Sequence, residues 1–83
     1  MIYIVQVPQK AQKEINALPD AIADHITDAI DALAENPRPY GYKKLRGGGY
    51  RIGIGAYRVV YDIQEQVKIV AVIKVAHRKD AYR

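Results

Sequence analysis

Residues 50–75, YRIGIGAYRVVYDIQEQVKIVAVIKV, decide the fold of this 83-residue chain. Apolar side chains alternate along Tyr50, Ile52 and Ile54, and again along Tyr57, Val59, Tyr61 and Ile63, the period of strands with one buried face. Gly55-Ala56 separates the two runs, and glycine in the first position is what a type II′ hairpin turn needs. That turn predicts Ile54 opposite Tyr57, Gly53 opposite Arg58 and Ile52 opposite Val59. Residues 67–75 are apolar on both faces except at Lys68 and Lys74, as in a central strand. A loop over residues 64–66 pairs Ile63 with Val67, Tyr61 with Ile69 and Val59 with Ala71, and sets Asp62 across from Lys68. The expected helix-facing set is then Ile52, Ile54, Val59, Tyr61, Ile69 and Ile73. Arg51, Gly53, Arg58 and Val60 face the other way.

Upstream, residues 2–7 (IYIVQV) read as a short first strand, and Pro8 suits the start of a helix because its missing N–H costs nothing there. Ala11, Ile15 and Leu18 share one face of that helix, with Lys10, Lys13 and Glu14 turned to water. A second helix over residues 20–35 carries its apolar stripe on Ile22, Ile26, Ala29, Ile30 and Leu33. The expected architecture is α+β, β-α-α-β-β-β. A helical hairpin packs on one face of a mainly antiparallel four-stranded sheet, with residues 1–83 forming one domain. The place of the first strand in the sheet is left open.

Charge is divided along the chain. Residues 1–37 hold two basic and six acidic side chains, and residues 38–83 hold eleven and three, so an acidic helical half precedes a strongly basic sheet half. A polyanion bound on the sheet side is the partner this division favours. Lys43, Lys44 and Arg46, in the loop before the second strand, are candidate contacts to a nucleic-acid backbone. Gly47-Gly48-Gly49 follows them without a helix start or a GK[ST] sequence, which excludes a phosphate-binding P-loop and makes the glycines a flexible lead into the strand. Asp20, Asp24, Asp28, Asp31 and Glu35 form a solvated helix row, and His25 flanks the apolar stripe. The chain has no cysteine, and His25 and His77 fall in no ligand motif, so neither a metal nor another cofactor is expected. No signal-peptide pattern or apolar run of roughly 20 residues occurs, and a cytoplasmic protein is the expectation.

Three blocks together, NPRPYGYKKLRG, YRIGIGAYRVVYDI and VIKVAHRKDAYR, resemble the RelE/ParE superfamily of toxins from type II toxin–antitoxin operons. The likeness covers nearly the whole chain, and the ending HRKDAYR is similar to the RelE branch, whose members cleave mRNA in the ribosomal A site. It implies that Arg58 sits at the scissile phosphate, that Arg78 is a second catalytic arginine, and that Tyr82 is the general base; His77, an imidazole beside Arg78 in the chain, is the substitute base that side-chain chemistry offers. Arg51 matches the first of two basic positions in the second strand, and Gly53 stands at the other. The implied partners are a cognate antitoxin, forming a toxin–antitoxin hetero-oligomer, together with the ribosome and mRNA; no membrane is involved. The ParE branch, whose members poison DNA gyrase without cleavage, and an inactive RNA-binding homologue are the competing readings. Metal-free cleavage asks for what these residues offer: a base for the 2′-OH and cations for the charge on the phosphorane.

Overall fold

Gly55 takes a φ of +60° while Ala56 does not enter positive φ, which is the backbone pattern of a type II′ turn. The hairpin closes as the sequence predicts, with β3 (Tyr50–Ile54) antiparallel to β4 (Tyr57–Gln64) and Gly53 opposite Arg58. In this computed structural model, which describes residues 2–81, the remaining elements are β1 (Ile4–Gln6), α1 (Gln9–Asn16), α2 (Asp20–Ala32), β2 (Lys43–Lys44) and β5 (Ile69–His77). The strand order is β1-β5-β4-β3-β2, with β1 parallel to β5 and the other pairs antiparallel. The sheet therefore has five strands where four were expected. The added one is the two-residue β2, which pairs Lys43 with Arg51 and Lys44 with Tyr50. Gly47, Gly48 and Gly49, each at positive φ, build the β2–β3 turn rather than a flexible lead.

The β4–β5 register departs from the expected one. The loop runs over residues 65–68, with Lys68 at a φ of 56°, so Ile63 meets Val70 rather than Val67, and Asp62 meets Ala71 rather than Lys68. The displacement is odd in number, and an odd slip turns a strand over. Val70 and Val72 therefore enter the core, while Ile69 and Ile73, both expected inside, lie on the far face. A second irregularity follows. Val60 opposes Lys74 and Tyr61 opposes Val72, which leaves Ile73 without a partner as a β-bulge. That extra residue restores the inward direction to Val75, three residues after Val72, and leaves Ile73 46% exposed.

The helices cover the inward face. Pro8 and Pro19 each stand just before a helix, where their carbonyls accept the first-turn N–H groups of Gln12 and of Ile22 and Ala23. Ala11 and Ile15 of α1, Ile26 and Ile30 of α2, and Leu33 beyond it pack on Ile52, Val59, Tyr61, Ile63, Val70, Val72 and Val75. The second helix stops at Ala32, and the turns through Asn36 finish it where a helix to residue 35 was expected. Glu14 does not face water. Its carboxylate accepts the Val75 N–H at 3.0 Å, on a stretch of β5 beyond the reach of β1, which ends opposite Ala71. The fully buried Tyr61 donates its hydroxyl to the Pro37 carbonyl at 2.6 Å, tying the sheet to the connection after α2.

The bulge makes a paired prediction. Val72→Ala should cost about 1.5–3 kcal/mol through lost burial and an unfilled cavity. Ile73→Ala, one residue on, should stay within about 0.5 kcal/mol. Denaturant melts of the two variants check this, and equal losses would contradict the bulge. Tyr61 supplies a second prediction. Burial pushes its phenol up to about 12, so the folded state holds a proton that an unfolded tyrosine releases near about pH 10. A raised value means the contribution is complete below about pH 10 and is lost as pH climbs towards 12. Tyr61→Phe should lower stability at neutral pH by about 1–3 kcal/mol, because the buried Pro37 carbonyl loses its donor. The same substitution should flatten the alkaline part of a stability–pH curve.

Candidate functional site

On the face away from the helices, the register sets Lys43 beside Arg51 and Gly53 beside Arg58, with Arg58 in turn beside Ala76. Gly53 decides what happens there. A Cβ at this position would lie 3.0 Å from Arg58 Nη1, 3.3 Å from its Cζ and 3.6 Å from Arg51 Nη1. The two guanidinium groups therefore lean over the same point, and the room left by the absent side chain is taken up by Arg58. Its Nη1 donates to the carbonyls of Gly55, at 3.0 Å, and Tyr57, at 2.9 Å, which folds the side chain back along the hairpin. Glu65 pairs with Arg38 at 2.7 Å and with Lys68 at 3.7 Å, and among the described residues neither Arg51 nor Arg58 meets a carboxylate. Two like charges converging without a counterion make a seat for an anion.

The C-terminal end of β5 closes one side of this seat. The Arg78 N–H donates to the Ala56 carbonyl at 2.8 Å, which carries the β4–β5 pairing one step further and fixes Arg78 beside the hairpin turn. A turn over residues 77–80 follows, in which the Asp80 N–H returns to the His77 carbonyl and Lys74 Nζ reaches the Asp80 carbonyl. Ala81 and Val60 are both buried outside the helix-facing core, so this part of the outer face is not bare. Tyr82 lies outside the described residues. His77 pairs with Tyr57 across the strands, and the two rings meet edge-on at 5.5 Å. Tyr57 packs against the helix-facing core, so His77 belongs to the side opposite Arg58, and its Nδ1 accepts the Lys79 N–H.

Lys43, Lys44 and Arg46 are exposed on the sheet edge and its turn, where edge lysines also discourage pairing with another strand. The sequence reading passed over two residues of the preceding connection. Arg38 lies 5.5 Å over the Tyr50 ring and is held by Glu65, whose hydrogen bond raises the guanidinium well above its ordinary range. That guanidinium, with the Tyr3 hydroxyl, lowers the Glu65 carboxyl below its usual value. Tyr40, fully exposed, occupies the corner of a turn closed from the Tyr42 N–H to the Pro39 carbonyl, with Gly41 at a φ of +89°. Only the run of two tyrosines among basic residues hinted at it. Among the described residues no group of three or more His, Cys, Asp or Glu side chains is arranged to hold a metal ion. No described helix is long and apolar enough to cross a membrane.

A helical hairpin on a mixed five-stranded sheet is a fold this chain shares with solved toxins of type II toxin–antitoxin systems. The profile of the ParE toxin of the type II toxin–antitoxin system, parDE, matches residues 5–82, and the chain belongs to that family. It is 31% identical to toxin RelG of Mycobacterium tuberculosis over 87 residues, covering all of this chain and 99% of the relative. The archaeal RelE–RelB complex of Pyrococcus horikoshii superposes with a TM-score of 0.85 at 28% identity, covering 98% of this chain and all of that one. The intact E. coli RelBE toxin–antitoxin complex gives 0.78 at 28% identity, covering 90% and 95%.

Gly53 is the testable point of this geometry. Its φ lies outside the positive range, and the atoms a Cβ would meet belong to the far end of a flexible side chain. Gly53→Ala should therefore fold with stability changed by less than about 1 kcal/mol, while the Arg58 guanidinium is displaced. NMR of the arginine side-chain resonances reads this directly, and an unmoved Arg58 signal would refute the placement.

Proposed function

We propose that this toxin is a ribosome-dependent mRNA endoribonuclease, in which the 2′-OH attacks the adjacent phosphate to leave a 2′,3′-cyclic phosphate and a 5′-OH. The observation that carries this reading is the convergence of the Arg51 and Arg58 guanidinium groups over Gly53, unpaired with any carboxylate among the described residues. Such a pair matches the charge that grows on the phosphorane oxygens, and charge stabilisation is usually the largest single contribution to a reaction of this kind. Arg58 acts on the phosphate after leaving the Gly55 and Tyr57 carbonyls that hold it in the free protein. Arg78, fixed beside the same turn, assists the departing 5′-oxygen. Tyr82 takes the 2′-OH proton, which requires neighbouring cations to lower a phenol of ordinary value about 10. His77, paired with Tyr57 on the other side of the sheet, is the weaker candidate for that role. Lys43, Lys44 and Arg46 contact the RNA backbone of mRNA or ribosome. A cognate antitoxin holds the toxin inactive in a hetero-oligomer, a reading supported by the relatives from Pyrococcus horikoshii and E. coli solved with RelB.

A second reading, inhibition of DNA gyrase without cleavage, is favoured by the family profile, which is that of ParE toxins. Single-turnover cleavage on programmed ribosomes separates the two. Tyr82→Phe should lose roughly 10²–10⁴-fold in rate at an unchanged melting temperature. Arg58→Ala should lose at least about 10²-fold, and His77→Ala should keep near-wild-type cleavage. Full activity in Tyr82→Phe with loss in His77→Ala would move the base to His77. No cleavage by the wild type, with inhibition of supercoiling by gyrase, would replace the nuclease reading by the second.

A further inference from the structure

β2 pairs only with Tyr50 and Arg51, so the edge of β3 over residues 52–54 is open. Along that edge runs a cleft of about 260 Å³, walled by Ala29 and Ala32 of α2 on one side and by Pro39-Tyr40-Gly41 on the other. Drug-sized ligands fill sites of roughly 300–1,000 Å³, so this one suits a single ring system. Its walls carry no charged side chain. Gly53 lies at its floor, and on the other face of the sheet at the same residue Arg51 and Arg58 converge. An apolar slot on one face of the β3 edge and a two-arginine anion seat on the other have the composition of a nucleotide that reaches round that edge: a flat ring joined to a phosphate.

Tyr40 completes the match. At 107% relative exposure its ring is covered by nothing, although an aromatic ring is among the most costly side chains to leave in water. The turn that holds it is closed by the Tyr42-to-Pro39 hydrogen bond and by Gly41 at positive φ, so the main chain under the ring is fixed. From Arg38 to Arg58 the sequence contains six basic residues and no acidic one, which repels protein partners of like charge and attracts a polyanion. Exposed aromatic rings beside cations are how single-stranded nucleic acids are gripped without reading sequence.

We propose that the cleft at the open edge of β3 receives one unpaired base of a single-stranded RNA, stacked on Tyr40, with its flanking phosphate passing round that edge to Arg51 and Arg58 on the outer face. The inference rests on the RNA-directed reading of the toxin and adds to it a seat for a base. It requires no catalysis, which allows the two to be tested apart.

The test is titration of the purified full chain with a single-stranded RNA hexamer and with the same hexamer made abasic, over a range of salt. Tyr40→Ala should weaken hexamer binding roughly 5- to 150-fold without altering its salt dependence, and Tyr40→Phe should bind as the wild type does. The abasic hexamer should bind the wild type no better than the ordinary hexamer binds Tyr40→Ala. Arg51→Ala should instead reduce the salt slope, by about 0.7 for each phosphate it no longer neutralises. Equal binding of both hexamers to the wild type, or wild-type affinity in Tyr40→Ala, would overturn the proposal even if ribosomal mRNA is cleaved normally. The expected pattern in a protein that cleaves no mRNA would uphold the base seat and dismiss only the nuclease reading.

Discussion

The pairing of β4 with β5, and the single unopposed residue Ile73 inside it, is the constraint on which the rest of the molecule depends. β5 is an interior strand, bonded to β1 on one side and β4 on the other, so its register sets which of its own side chains meet the helices and where β1 joins the sheet. The bulge lets Val70, Val72 and Val75 all point inward although no strict alternation joins them. Beyond Ala71 β1 no longer lines β5, and the Glu14 carboxylate of α1 supplies an acceptor for the Val75 N–H there. A charged acceptor on a main-chain N–H is worth about 1.5–3 kcal/mol, enough to help fix how α1 sits on the sheet.

The same ladder divides the two faces chemically. One side is an aliphatic core closed by a single buried phenol, and the other carries Lys43, Arg51 and Arg58 in neighbouring register positions. Arg51 and Arg58 were placed by strand pairing, not by ion pairs among the described residues, whereas Arg38 and Lys68 bridge to Glu65 at the other end of β4. Surface pairs of that kind contribute little to stability and are screened by salt. That Arg51 and Arg58 meet no carboxylate among the described residues costs the fold almost nothing and keeps their charge for an external anion.

Gly53 shows why a missing side chain has to be judged in three dimensions. By resemblance it stands where a second basic residue would be, and on that ground the face lacks a cation. In the fold, Arg58 from the neighbouring strand leans into the vacant space and brings its guanidinium next to that of Arg51. The charge is thus supplied from β4. It is held for the moment on the carbonyls of Gly55 and Tyr57, and the exchange of those two bonds for phosphate oxygens is a small rearrangement of one side chain.

Much of this was legible in the residues. The Gly55-Ala56 turn and the alternation around it set the β3–β4 register and the inward places of Ile52, Val59 and Tyr61, because a two-residue turn leaves a hairpin no other way to close. The two helices followed from their apolar stripes and their prolines, and the arginine face from the same alternation. Local pattern did not reach further. Residues 67–75 are apolar on both faces, so either face suits the core, and only the four-residue loop with Lys68 in the left-handed region chose between them. The bulge at Ile73 has no sequence mark, and two residues are too short a strand for Lys43-Lys44 to show a period. That Tyr40 and Gly53 share one cleft while Arg51 and Arg58 converge over the other face of Gly53 was likewise beyond the sequence. It joins a loop turn and two strands through the sheet register, and register is a property of the paired chain rather than of any one segment.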